Sequence, residues 1–389
     1  MHKFQDTRTI YRPSDIINDV RREYGVVMSY QKAWKAKECA LEDLMGSAEE
    51  SYAKLARYCY NMGRINTGSA FFIEKDDENR FRYFFMALGQ CVRGFRNAMR
   101  PLILVDGTTL KARYGGKLII ATCQDANIQI YSLAFGIVDG ENDVAMSWFF
   151  TKLREVIGDV ENLAFVTNRG QSIINGIVEV FPEAHHGYCM HHIQGNLKTR
   201  YRGNSVVAFF RRAAKAYSFE EFDKFMVEID SKSHAAWEYL TEMGIEHWSC
   251  ASVLTPAQED KLFKTLDVAG KLESFPRTHA VAVAMHRGLP PHTLCSVYYM
   301  TDYWRAAYAE TIFPVPNEVE WEVPDHILPL NNLLPPAVGP RTSGRTRTSR
   351  IPSTGEFPQP RKCGRCSATG HTRRYCTNQI SLHDNVTDV

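Results

Sequence analysis

Four residues near the carboxyl end have the types and spacing of a metal site. In RKCGRCSATGHTRRYC, Cys363, Cys366, His371 and Cys376 follow the pattern C-x2-C-x4-H-x4-C. Two thiolates on one tight turn, then an imidazole and a third thiolate, close a tetrahedral zinc site within a very short stretch of chain. Gly370 relieves the turn before His371. The segment has too few apolar residues to fold alone, so its folding free energy is essentially the free energy of binding Zn²⁺. Arg361, Lys362, Arg365, Arg373 and Arg374 surround the ligands, and Tyr375 offers a ring on which a base can stack. Single-stranded nucleic acid suits such a basic, aromatic knuckle. A protein-docking knuckle is the alternative.

The second candidate is Asp106, which ends the apolar run 102–105. The turn Tyr114-Gly115-Gly116 follows, then two more β-type runs at 118–122 and 128–138. Three such runs on short turns predict an antiparallel meander. A carboxylate at the inner end of the first strand is where ribonuclease H-like nucleases and transposases keep a metal ligand. Taken alone, an Asp there is more often a surface or turn acid.

The elements that must position Asp106 continue beyond the meander. Residues 145–157 have helical spacing, with Trp148, Phe149, Leu153, Val156 and Ile157 on one face. A strand at 163–167, a helix at 172–180, a short strand at 186–189 and a helix at 191–201 complete the order β-β-β-α-β-α-β-α. That order predicts an α/β, ribonuclease H-like core with its first and fourth strands adjacent, so that Asp106 and Asn168 face each other. Ahead of it, residues 13–46 read as two helices about a Gly-containing turn, either a packing unit or a helix-turn-helix DNA reader. A third helix starts after Ser47, two β-runs lie at 70–74 and 80–86, and a short helix leads into the meander. After it, 206–239 is strongly helical, and 301–312 is a short aromatic helix.

Net charge is +2, so any nucleic-acid-binding surface must be local. The hydrophobic fraction of 44% and charged fraction of 23% are those of an ordinary globular protein. No apolar run reaches the roughly 18 residues of a membrane helix, and MHKFQDTRTIYRPSD lacks the apolar core of a secretory signal. Cys39, Cys59, Cys91, Cys123, Cys189, Cys250 and Cys295 are scattered singly while three more crowd together, which suits a reducing compartment, cytosol or nucleus.

Several stretches together resemble the transposases of plant Mutator-like elements. They are Asp106-Gly107-Thr108-Thr109-Leu110-Lys111, Asp125-Ala126-Asn127, Leu133-Ala134-Phe135, Asn168-Arg169-Gly170 and Cys189-Met190-His191-His192. The entry RPSDIINDVRREYG, the segment Trp304-Arg305-Ala306-Ala307-Tyr308 and the knuckle look like that family too. The resemblance implies DNA strand cleavage and joining with two Mg²⁺ or Mn²⁺ ions held by an acidic triad, nuclear localisation, and DNA or single-stranded nucleic acid as partner. A homo-oligomer is compatible with it; a membrane partner is not.

Asp106 fits the family's first acid, but Asn168 stands where the second Asp is found, and an amide there removes a full charge from the bridging position. The third acid's segment is missing between Trp248-Ser249-Cys250 and Leu254-Thr255-Pro256. Glu221, Glu228, Glu238, Glu242 and Glu246 lie nearby as solvated helix acids. A SWIM-type zinc finger is reduced to His279. Cys189 and His192 match the family's Cys/His pair, as metal ligands with outside partners or as a buried structural pair. The expected organisation is a helical lead-in (1–100), the core (101–201), a helical segment with a deletion (202–254), a degenerate finger region (255–312), a basic Pro/Ser/Thr-rich linker (313–360) and the knuckle (361–377). The implied function is that of a transposase-derived nucleic-acid-binding protein impaired in strand cleavage. The alternatives are an active transposase and a decayed product without function.

Overall fold

A computed structural model describes residues 11–110, 114–125, 127, 129–201, 204–216, 218–249, 300–327, 332–337, 363, 366, 375 and 376. The described residues begin with three helices, α1 (Pro13–Tyr24), α2 (Tyr30–Met45) and α3 (Ala48–Ile65). Gly25 ends α1 in the left-handed conformation, with φ of 67°. Ser47 opens α3 through a reciprocal capping box with Glu50, which satisfies two amides that no helical carbonyl can reach.

The strands are β1 (Ala70–Lys75), β2 (Phe81–Ala87), β3 (Leu102–Thr109), β4 (Lys117–Gln124), β5 (Ile130–Val138), β6 (Ala164–Thr167) and β7 (His185–Tyr188). They form one seven-stranded sheet in the order β1-β2-β5-β4-β3-β6-β7. The hairpin β1–β2 and the meander β3–β4–β5 are antiparallel, while β6 joins β3 and β7 joins β6 in parallel. The chain is thus mixed α/β with a mostly antiparallel sheet. The meander is formed as its alternating apolar pattern predicts: Ile103, Val105, Ile119, Ala121 and Cys123 are buried on one face. Gly115 and Gly116 make the β3–β4 turn at φ of 65° and 87°, a region that side chains with a Cβ rarely adopt.

Helices α4 (Gly89–Ala98), α5 (Asp143–Ile157) and α6 (Gln171–Val180) cover that face. Their core is aromatic, with Phe85, Phe149, Phe150, Phe165 and Phe181 in ring contact. Gly136 lets α5 press onto β5, because a Cβ there would stand 2.6 Å from the Phe149 ring. A separate core joins α7 (Met190–Arg200), α8 (Asn204–Lys215), α9 (Phe219–Lys232) and α10 (His234–Glu242) around Phe210, Phe222, Ile229, Leu240 and Trp248. The stretch expected as strongly helical over 206–239 is therefore broken into three helices. Ser218 and Ser233 cap α9 and α10 from within it.

The carboxyl-terminal part departs from expectation. The aromatic helix α11 spans only Thr301–Ala307 rather than 301–312. Residues 313–327 and 332–337 are not the free tether that their Pro-rich composition suggested, but a strap along α3 and the β1–β2 hairpin. The reason is specific polar capture. Asn66 Nδ2 donates to the Phe313 carbonyl at 2.9 Å, and the Phe313 amide donates to Asn66 Oδ1 at 2.9 Å. Asn61 holds Glu322 in the same two-way fashion, at 2.8 and 3.0 Å. Leu333 enters the small core between α3 and β2. The remainder of the linker, and residues 250–299 with His279, lie outside the described residues. Among the described residues no helix is long and apolar enough to cross a membrane.

Candidate functional site

Parallel pairing of β3 with β6 sets Val105 opposite Thr167, so Asp106, within β3, meets Asn168 just past the carboxyl end of β6. Asn168 Nδ2 donates a long hydrogen bond, 3.4 Å, to Asp106 Oδ1, which also accepts from the Gly107 amide at 3.0 Å. The two residues face each other as their strand positions predict. Asp106 is exposed, whereas Asn168 is buried and its Oδ1 is fixed by the Gly170 amide at 2.9 Å. That second bond settles the amide's orientation: the group turned toward Asp106 is a donor. Two carboxylates in these places would repel one another until a cation bridged them. Here a neutral N–H makes the bridge.

The loop after β6 is held in tension. Arg169 adopts φ of 75°, unusual for a residue with a side chain. Its guanidinium donates to the Tyr239 hydroxyl at 2.7 Å, and that hydroxyl also accepts from Asn196 Nδ2 at 3.0 Å. Thus α7 and α10 of the second helical core fix the loop that carries Asn168.

An acid that the sequence reading passed over lies against the same loop. Glu141, just before α5, has a side chain only 3% exposed. Its Oε2 is 3.3 Å from Lys117 Nζ, while its Oε1 is buried and accepts no hydrogen bond from a described residue. A Cβ built at Gly170 would stand 2.4 Å from Glu141 Oε1 and 3.2 Å from Asn168 Oδ1, and one at Gly107 would stand 3.5 Å from Glu141 Oε2. Gly170 therefore makes room for this carboxylate, whereas a Cβ at Gly107 would meet Ile119 first, at 3.2 Å. Ser172 Oγ, donating to the Glu141 carbonyl at 3.2 Å, ties it to α6. Glu221, Glu228, Glu238, Glu242 and Glu246 are all exposed.

Cys189 caps α7 and His192 lies in its first turn. Burial raises the Cys189 thiol, but hydrogen bonds from the His192 side chain and from the backbone of His191 and His192 outweigh it and hold the pKa below its ordinary value. Beside them His186 shares a hydrogen bond of 2.9 Å with Thr167 Oγ1 and is pushed down to about 4, first by burial and then by His247. Another motif of the sequence has a structural explanation. Buried Asp125 accepts from Trp304 Nε1 and the Tyr308 hydroxyl, both at 3.0 Å, and so clamps α11 onto the β4–β5 turn.

In the knuckle, the Sγ atoms of Cys363, Cys366 and Cys376 lie within 4.8 Å of one another, with Cys363 and Cys376 buried. Three soft donors converging at that separation could hold a metal ion and are compatible with zinc. Tyr375 is 72% exposed beside them. His371, Arg361, Lys362, Arg365, Arg373 and Arg374 lie outside the described residues.

Residues 102–196 match the family model of the MULE transposase domain, that of Mutator-like elements. The match begins with β3 and ends in α7, and so includes Asp106, Glu141, Asn168, Cys189 and His192. No curated protein matches the chain.

Proposed function

We propose that this chain is a nucleic-acid-binding protein derived from a Mutator-like transposase, impaired in strand cleavage, that contacts nucleic acid through a zinc knuckle. The sheet order, a three-stranded meander continued by two parallel strands, supports a ribonuclease H-like reading of the core. The observation that carries the impairment is the Asn168 to Asp106 contact. Two-metal phosphoryl transfer needs anionic oxygens that hold both ions in place about 4 Å apart. With an amide donor turned toward Asp106, position 168 contributes no anionic oxygen to bridge two ions.

Bound zinc would organise the knuckle, supplying structure rather than reaction chemistry, with Cys363, Cys366 and Cys376 joined by His371 as fourth ligand. The ordered loop would present Tyr375 to a base and Arg361, Lys362, Arg365, Arg373 and Arg374 to phosphates. Internal deletions relative to the family, and a nuclear site of action, belong to the same reading. So does the partition into lead-in, core, helical segment and knuckle.

The test pairs two assays on one preparation. Supercoiled plasmid with Mn²⁺ is incubated with the wild type, Asp106→Ala and Asn168→Asp, and a labelled single-stranded oligonucleotide is titrated with and without zinc. The expected outcome is an intact plasmid with the wild type, together with zinc-dependent oligonucleotide binding. Nicking by the wild type that Asp106→Ala abolishes would establish an active transposase core instead.

A further inference from the structure

We propose that Glu141 is the second carboxylate of a single divalent-cation site at the joint of β3 and β6, with Asp106 as the first and the carbonyl oxygen of Asn168 as a neutral ligand. This rests on the reading of the core above and narrows it from a lost two-ion centre to a retained one-ion centre.

Three observations carry the assignment. Glu141 Oε1 is buried and receives no hydrogen bond from a described residue. A buried carboxylate oxygen left so costs several kcal/mol in general unless a cation or donor meets it. Lys117 offsets the charge through the other oxygen, Oε2, and leaves Oε1 without a donor among the described residues. Next, Glu141 Oε1 and Asn168 Oδ1 both close on the position that a Gly170 Cβ would fill, at 2.4 and 3.2 Å. With no Cβ at Gly170, these two acceptor oxygens border one space beside it. The Gly170 amide beside them is already engaged by Asn168 Oδ1. Finally, Asp106 is exposed and one hydrogen bond away from Asn168, the residue whose carbonyl lies beside Glu141.

The donor set is all oxygen, two of the groups anionic, which selects a hard ion such as Mg²⁺ or Mn²⁺ over zinc. The competing explanation is a purely structural ion pair between Glu141 and Lys117. It accounts for Oε2 and leaves Oε1 without a partner among the described residues.

The experiment is a Mn²⁺ titration of the full, zinc-loaded chain followed by electron paramagnetic resonance, with Mg²⁺ as competitor. The wild type is expected to bind one Mn²⁺ that excess Mg²⁺ displaces. Asp106→Asn and Glu141→Gln are each expected to weaken it by at least about tenfold, the scale on which altered metal surroundings act, and Asn168→Asp to tighten it. In parallel, selective ¹⁵N-glycine labelling of the wild type should show Mn²⁺ broadening the Gly107 and Gly170 amides while Gly25 and Gly195 stay sharp. This readout stands even if Glu141→Gln fails to fold. A wild type that binds no Mn²⁺, a folded Glu141→Gln that binds it unchanged, or broadening confined to other glycines would each overturn the site. None of these touches the plasmid and oligonucleotide results, so the failure of this site and the failure of the functional reading are distinguishable.

Discussion

His186 sits on β7 with its ring against Thr167, one residue before Asn168, so its protonation state bears on the edge where the candidate site lies. Burial, reinforced by His247, brings its pKa from 6.5 to about 4. The folded protein therefore favours neutral imidazole, whereas the unfolded chain takes up a proton near its ordinary pKa. The sign follows: this contribution to stability is fully present above pH 6.5 and is lost as pH falls from 6.5 toward 4. Thermal melts across that window are expected to show a falling midpoint, by a few degrees on the usual scale for domains of this size. His186→Gln should flatten the dependence, and an unchanged slope would show that other groups control it. The same scale explains which site residues were legible. Asp106 and Asn168 each end an apolar strand run, and a polar residue in that place stands out. Glu141 sits in Asp139-Gly140-Glu141-Asn142, a composition typical of any turn before a capped helix. It is buried beside Lys117 and Gly170, neither of them near in sequence, so nothing local signals it.

At the scale of elements, the strap is the feature that composition misread. Pro, Asn and Ser enrichment is the mark of a tether, and no local pattern reveals that Asn61 and Asn66 of the α3 end grip the backbone of Glu322 and Phe313, some 250 residues on. Each amide side chain satisfies both an N–H and a C=O of an extended residue, as a neighbouring strand would. Asn66 is also met by Gln90 Nε2 at 2.9 Å, which locks α4 into the arrangement. Asn66→Ala removes these bonds and leaves the Phe313 amide without its partner. A loss of about 2–3 kcal/mol is expected, at roughly 1 kcal/mol for each net hydrogen bond. Hydrogen exchange should show the Phe313 amide losing protection first, with α5 and β4 unaffected. Uniform loss across the sheet would mean that the strap is part of the core's own cooperative unit. The meander, by contrast, was readable because period-two burial and a Gly-Gly turn are local signals. Its continuation through α5, β6, α6 and β7 was readable for the same reason.

Across the whole molecule, the chain carries two chemically separate metal-binding proposals, a soft thiolate cluster at one end and a hard oxygen edge in the core. The knuckle has no hydrophobic core to survive loss of metal, whereas the sheet is stabilised by a large aromatic interior. A zinc-selective chelator should therefore abolish oligonucleotide binding while leaving the main thermal transition in place. Net charge of +2 gives no long-range attraction for phosphates, so affinity must come from the basic residues around the knuckle. If Arg361, Lys362, Arg365, Arg373 and Arg374 all reach phosphates, log affinity should fall with log salt at a slope near −3.5, about −0.7 per contact on a single strand. Tyr375→Ala should cost about 1–3 kcal/mol at every salt concentration, because stacking on a base releases no counterions. The two variations are separable: arginine substitutions flatten the slope, whereas loss of Tyr375 shifts the line without tilting it. A slope near zero, or binding that survives chelation, would place the nucleic-acid contact elsewhere on the chain.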